Sequence, residues 1–237
     1  MNNKDIFCIV PAYKEEKNIS RVVEELSDLD YSVVVVVDGG GDKTFEFALE
    51  TKRELKNSNI YILQHLINRG QGAALQTGND FALKKGAKFV VHFDADGQFL
   101  SSEIIKILKP ILDDKCDIVF GSRFLEIKSN MPFFKKFFIM PIGRIVNKIF
   151  LGVNLSDPQN GFRAMNALAL EKIKISQDGS AHCSEILGKT IQNNLRYSEI
   201  AVTVIYNDFG QGLLSGKGRG KGGLKIIRDL ILGKIIN

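Results

Sequence analysis

Short apolar runs alternate with amphipathic stretches through the first half of the chain. Ile6 to Val10 reads as a strand, and Asn18 to Leu29 carries apolar positions at helical spacing. Val33 to Val37 is five consecutive valines, which suits a strand buried on both faces of a parallel sheet. The alternation predicts helices near 43–55, 72–85 and 102–112, and strands at 60–63, 89–93 and 118–120. Five βα units in order predict an α/β fold with a doubly wound sheet. Such sheets bind ligands at the carboxyl ends of their strands.

The second half is less regular. Residues 131–150 combine a wide apolar face with basic residues and are interrupted by Pro132 and Pro141, the pattern of a helix lying on a membrane surface. Leu224, Ile227, Ile231 and Ile235 recur at helical spacing near the end, with Lys225, Arg228 and Lys234 elsewhere around the turn. Both faces fit packing against the protein's own body, or against a second copy in a homo-oligomer, at least as well as lipid contact. Between them, Gly216 to Gly223 is a glycine-rich basic patch that reads as a loop.

The 237 residues, 44% of them hydrophobic, suffice for one sizeable core. The expected organisation is one domain over 1–210, including the amphipathic segment 131–150. A basic loop and C-terminal amphipathic helix over 211–237 would follow it. No apolar run reaches the roughly 18 residues that span a bilayer, and the start shows no signal-peptide pattern, so a cytoplasmic location is expected. Three widely spaced cysteines, Cys8, Cys116 and Cys183, imply neither a disulfide framework nor a zinc site and read as small core residues. The net charge of +5 is unevenly placed: 123–148 and 211–237 each hold six basic residues against one acidic residue. Two basic segments on an acidic body suggest phosphate-bearing partners.

Chemistry concentrates after the strands. Asp94-Ala95-Asp96-Gly97-Gln98 places two carboxylates one residue apart at the ligand-binding edge. Mg²⁺ binds through one or two carboxylates while substrate phosphates complete its shell, so the pair suits a metal-diphosphate site. Neighbouring strand ends carry Pro11-Ala12-Tyr13-Lys14-Glu15-Glu16, Asp38-Gly39-Gly40-Gly41-Asp42 and Asn68-Arg69-Gly70-Gln71-Gly72, the turn and polar chemistry of a nucleotide pocket. No Gly-x-Gly-x-x-Gly follows the first strand, as a dinucleotide fold would require, and no P-loop occurs.

With Val10-Pro11-Ala12-Tyr13, Asp94 to Gln98, Gly121-Ser122-Arg123 and Asp157-Pro158-Gln159-Asn160-Gly161-Phe162-Arg163 in this order, the sequence resembles the family 2 inverting glycosyltransferases of the GT-A fold. Within them it is similar to the dolichol-phosphate mannosyltransferase and polyprenyl-phosphate glycosyltransferase branch. That resemblance implies a single mostly parallel sheet with helices on both faces and a nucleotide-sugar as co-substrate. It places Pro11, Ala12, Tyr13, Glu15 and Asp38 around the nucleoside, and Asp94, Ala95 and Asp96 near the diphosphate. Asp94, Asp96 and Gln98 would ligate Mn²⁺ or Mg²⁺. Arg123 would face the transferring phosphate, with Lys135 and Arg163 toward the acceptor phosphate; an ion pair of Arg163 with Asp157 is an equal alternative. Glu185 would line the acceptor site on a later helix. Two departures stand out: the second strand is followed by a single Asp38 before three glycines, and the late basic contact shifts to Lys217 or Arg219.

The implied reaction is in-line displacement at the anomeric carbon with loss of nucleoside diphosphate. The donor would be of the GDP-mannose or UDP-glucose type. An acceptor phosphate needs no general base, whereas a sugar hydroxyl would, with Glu185, Asp157 and Asp178 as candidates. The expectation is therefore a metal-dependent hexosyltransferase acting on polyprenyl or dolichyl phosphate, peripheral at the inner membrane face. The alternative is a transferase of the same fold that extends a lipid-linked or cell-surface glycan. A nucleic-acid-binding module leaves the strand-end residues unexplained, and its tail has few aromatics for base stacking. His65, His92 and His182 need no catalytic role, and His92 reads as a hydrogen-bonded core residue.

Overall fold

The structure, a computed structural model, describes residues 2–125 and 155–205. Among the described residues seven strands form one sheet in the order β3-β2-β1-β4-β6-β5-β7. They are β1 (Ile6–Ala12), β2 (Ser32–Asp38), β3 (Ile60–His65), β4 (Phe89–His92), β5 (Ile118–Ser122), β6 (Arg163–Asn166) and β7 (Tyr197–Ala201). The helices are α1 (Ile19–Asp28), α2 (Thr44–Leu55), α3 (Gln71–Lys84), α4 (Ile104–Leu112), α5 (Ala167–Lys172) and α6 (His182–Gln192).

The five valines of β2 are almost wholly buried, as a strand covered on both faces requires. Alternate β2 residues point to opposite sides. Val33, Val35 and Val37 join the core under α1, α2 and α4, while Val34 and Val36 join the core under α3, α5 and α6. In α1, Ile19, Val22, Val23 and Leu26 form one buried stripe at helical spacing. Burying such a side chain fully is worth roughly 1.5–3 kcal/mol, so these stripes hold the layers together.

All five expected strands and the four helices expected before residue 113 are present, and the parallel ladder of β1 with β2 and β4 follows the expected pattern. The sheet gains two strands that periodicity did not mark. β6 is four residues long and runs antiparallel between β4 and β5, and β7 lies parallel to β5. The strand order reverses across β1 and β4, which opens a crevice at their carboxyl ends. Pro11 lies beyond the last β1–β4 pair, Ile9 with His92, so its missing N–H costs that ladder nothing. The three cysteines are buried and unbridged. Among the described residues no helix is long and apolar enough to cross a membrane.

Candidate active site

Loops after β1, β2 and β4 converge at the crevice. Past β1, Tyr13 is partly exposed and Lys14 lies over its ring, 5.3 Å from the centroid. The Glu15 N–H donates to Thr44 Oγ1 at 2.8 Å, and Asn18 Nδ2 donates to the Glu15 carboxylate at 2.8 Å. Burial pushes the Glu15 carboxyl up, and the charges of Asp96 and Asp42 add to this. Glu15, Asp42 and Asp96 therefore share one acidic wall. Asp42 also accepts from the Thr44 hydroxyl at the start of α2, so a second carboxylate reaches this wall from the β2 loop despite the three intervening glycines.

Asp38, buried at the end of β2, turns inward. Its Oδ1 accepts from Arg69 N at 2.9 Å and from His65 Nδ1 at 2.7 Å, and its Oδ2 accepts from Gly70 N at 2.6 Å. The far side of the His65 ring bonds Thr77 at 2.9 Å. Asp38 thus ties the turn between β3 and α3 to the end of β2, a role its position in sequence did not announce.

Asp94 and Asp96 lie on the loop after β4, with Ala95 buried between them. Gln71 Nε2, from the first residue of α3, donates to Asp94 Oδ1 at 2.8 Å. Burial pushes the Asp94 carboxyl up to about 7; the Asp96 charge adds to this and the Arg163 charge opposes it. The Asp96 carboxyl is also raised by burial, against the Gln98 N–H that donates to its Oδ1 at 3.0 Å. A Cβ on Gly161 would lie 2.6 Å from Asp94 Oδ2, so this close approach requires glycine. Asp94, Asp96 and the Gln98 amide offer hard oxygen donors on one loop. Among the described residues no cage of three or more His, Cys, Asp or Glu forms. Oxygen donors of this kind, two carboxylates and an amide, are the type that Mg²⁺ or Mn²⁺ takes when phosphate and water complete its shell.

Gln98 is further tied to the last described segment: its carbonyl accepts from Ile205 N at 2.8 Å, and Phe99 bridges to Val204. Lys135, Lys217, Arg219, the amphipathic segment 131–150 and the C-terminal helix lie outside the described residues.

The arginines divide differently from the expected alternatives. Asp157 pairs with Arg123, not with Arg163: Nε to Oδ2 is 2.6 Å and Nη2 to Oδ1 is 2.7 Å, a two-pronged contact. Ser156 and Asp157 are in turn pinned by Glu199 of β7. Arg163 opens β6 opposite His92 and Phe120. It is fully buried, and its three guanidinium nitrogens meet no oxygen or nitrogen acceptor among the described residues, leaving the Cys183 thiol as the group that answers them. Its charge acts on Asp94, His92, His182 and Cys183. Burial alone would push the Cys183 thiol up, but Arg163 and His182 hold it down to about 6. His92 bonds Asn79 at 3.0 Å inside the core, as its place within a strand suggested.

Glu185 lies in the first turn of α6 and is fully occupied. It accepts from the N–H and hydroxyl of Ser176 and from Gln177 N, and pairs with Lys189 at 2.8 Å. Burial works against the charge, but Lys189 and Ser176 outweigh it and hold the carboxyl below its usual range. A carboxylate so satisfied is a poor proton acceptor. Gln71, inside a motif read only as turn chemistry, was not singled out from sequence; nothing but its fold position brings it to Asp94.

Known proteins resemble the chain over most of its length. The family described as glycosyl transferase family 2 matches residues 7–174. A UDP-N-acetylglucosamine–dolichyl-phosphate N-acetylglucosaminyltransferase from Methanococcus voltae is 31% identical over 224 residues, covering 88% of this chain and 89% of that protein. A polyprenol monophosphomannose synthase from Mycolicibacterium smegmatis is 27% identical over 215 residues, covering 88% of this chain and 80% of that one. Among solved structures, a mannosyltransferase from Pyrobaculum calidifontis in complex with GDP-Man and Mn²⁺ superimposes with a TM-score of 0.58. That match covers 86% of this chain and 58% of the other at 16% identity, a likeness of fold.

Proposed function

The chain belongs to glycosyl transferase family 2, and from that premise we propose that it moves a hexose from a nucleotide-sugar to a polyprenyl or dolichyl phosphate. The donor is of the GDP-mannose or UDP-glucose type, and the protein works peripherally at the inner membrane face. The observation that carries the reading is the Asp94–Asp96 pair at the β1/β4 crevice, with Glu15 and Asp42 on the same wall. Relatives named for dolichyl-phosphate and polyprenol substrates, similar over nearly nine-tenths of the chain, support the acceptor class.

In this reading Tyr13 and the β1 and β2 loops receive the nucleoside, and the diphosphate lies over Asp94 and Asp96. Asp94, Asp96 and Gln98 would hold Mn²⁺ or Mg²⁺, which when bound neutralises charge developing on the leaving diphosphate. Arg123 is held rigid by Asp157, so its positive charge is presented with little reorganisation. The attacking phosphate oxygen is already anionic near pH 7, so orientation suffices and no proton acceptor is required. The saturated state of Glu185 agrees with that. The basic segments 123–148 and 211–237 supply sequence-level attraction to an anionic membrane surface.

The test is nucleotide release from GDP- and UDP-sugars with Mn²⁺ or Mg²⁺, with and without a short polyprenyl phosphate. The expected result is release that needs one donor and the prenyl phosphate together and disappears in Asp96→Ala. Donor binding that the prenyl phosphate leaves unstimulated would exclude this acceptor.

A further inference from the structure

Asp94 is gripped by a chain of contacts that begins far from it. Gln71 donates to Asp94 Oδ1. Gln71 stands at the start of α3, whose Gly70 N–H is held by Asp38 on one side. The 175–179 loop holds it on the other. Gly72 N donates to Asp178 O at 2.8 Å, and Ile175 N donates to Gln76 Oε1 at 2.6 Å. The contact is backbone on backbone: a Cβ on Gly72 would lie 2.0 Å from Gln177 O. Glu185 holds this same loop through Ser176 and Gln177, and Lys189 holds Glu185.

We propose that Gln71 aims the Asp94 carboxylate at the metal-diphosphate position, and that Glu185, acting through the 175–179 loop, is a positioning residue of the donor site. This inference rests on the metal-diphosphate reading above. A carboxylate with one oxygen fixed by an amide N–H presents its other lone pairs in a set direction. Loss of such a supporting hydrogen bond typically weakens metal affinity about 10–100-fold. Gln71→Glu keeps the length but turns a donor into an acceptor against Asp94, and so should cost at least as much as Gln71→Ala. Glu185→Gln keeps the shape but loses the charge that strengthens the loop's hydrogen bonds, and should give a smaller loss in the same direction.

The experiment titrates Mn²⁺ by its electron paramagnetic resonance signal, with GDP or UDP present, in the full chain and in Gln71→Ala, Gln71→Glu, Glu185→Gln and Lys189→Met. Lys189→Met removes the ion-pair partner of Glu185 together with the hydrogen bond from Lys189 to the Lys174 carbonyl at the loop's start, and serves if Glu185→Gln folds poorly. The expected result is weakened Mn²⁺ binding in each, with thermal midpoints and the KM for prenyl phosphate nearly unchanged. Gln71→Ala should also add no further loss to an Asp94→Ala background. Unchanged Mn²⁺ affinity in Gln71→Ala overturns the proposal. So does an undiminished Gln71→Ala effect in the Asp94→Ala background. Loss of turnover in Glu185→Gln with Mn²⁺ affinity intact overturns the role given to Glu185 and makes it a base. A wild-type chain that releases nucleotide yet binds no Mn²⁺ overturns the metal reading itself, and the inference with it.

Discussion

Arg163→Met should make the protein more stable and less active. The guanidinium has no exposed surface, none of its three nitrogens meets an oxygen or nitrogen acceptor among the described residues, and the group that answers its charge is the Cys183 thiol. The effective cost of burying an ion is several kcal/mol, and replacing a buried ion pair with apolar side chains often stabilises by about 1–4 kcal/mol; once Arg163 is gone Cys183 can take up its proton, so no charge is left buried and unpaired. Methionine is unbranched and adapts to irregular space, so it should fill the site between His92 and Phe120 without a large void. With a gain of about 2 kcal/mol, a domain of this size would melt roughly 4–8 °C higher. Calorimetry on wild type and variant reads that shift directly. The variant should lose donor turnover, because the positive charge behind Asp94 is gone. Its Cys183 thiol should also move up from about 6, visible as loss of ultraviolet thiolate absorbance near neutral pH. A melting temperature lowered by several degrees would refute the reasoning, since the guanidinium would then be net stabilised where it sits.

Three further substitutions test other parts of the site and fold. Gly161→Ala places a methyl 2.6 Å from Asp94 Oδ2 and should weaken Mn²⁺ and donor binding while urea unfolding changes by less than about 2 kcal/mol. Asp38→Asn puts an amide donor against N–H groups of Arg69, Gly70 or His65, and should cost about 1–3 kcal/mol in urea unfolding together with weaker donor binding. The Arg196 side chain holds the Asp117 carboxyl down to about 2. A depressed carboxyl stabilises the fold above its unfolded value of about 4 and loses that contribution as pH falls through its folded value. The stability gap between wild type and Asp117→Asn, followed by urea midpoint, should therefore shrink between pH 4 and pH 2; a constant gap would contradict the assignment.

What the sequence by itself determined is local. Five valines in a row made a buried strand, the 19-22-23-26 stripe made an amphipathic helix, and Asp94 and Asp96 fell at a strand's carboxyl end, where such sheets host ligands. These follow from periodicity and from neighbours within a few positions, which any fold must respect. The short β6 carries a buried arginine in four residues, so no apolar alternation announced it. The partners of the charged groups were equally hidden. Arg123 meets Asp157 across 34 positions, Gln71 meets Asp94 across 23, and Asp38 holds Gly70 across 32. Glu185 was expected to line an acceptor site, and nothing in the sequence marked its contacts with Ser176, Gln177 and Lys189. Tertiary structure decided these, because a charged side chain pairs with whatever the strand order and helix packing bring within about 3 Å. That distance is set by the whole sheet rather than by the residue's own surroundings in the chain.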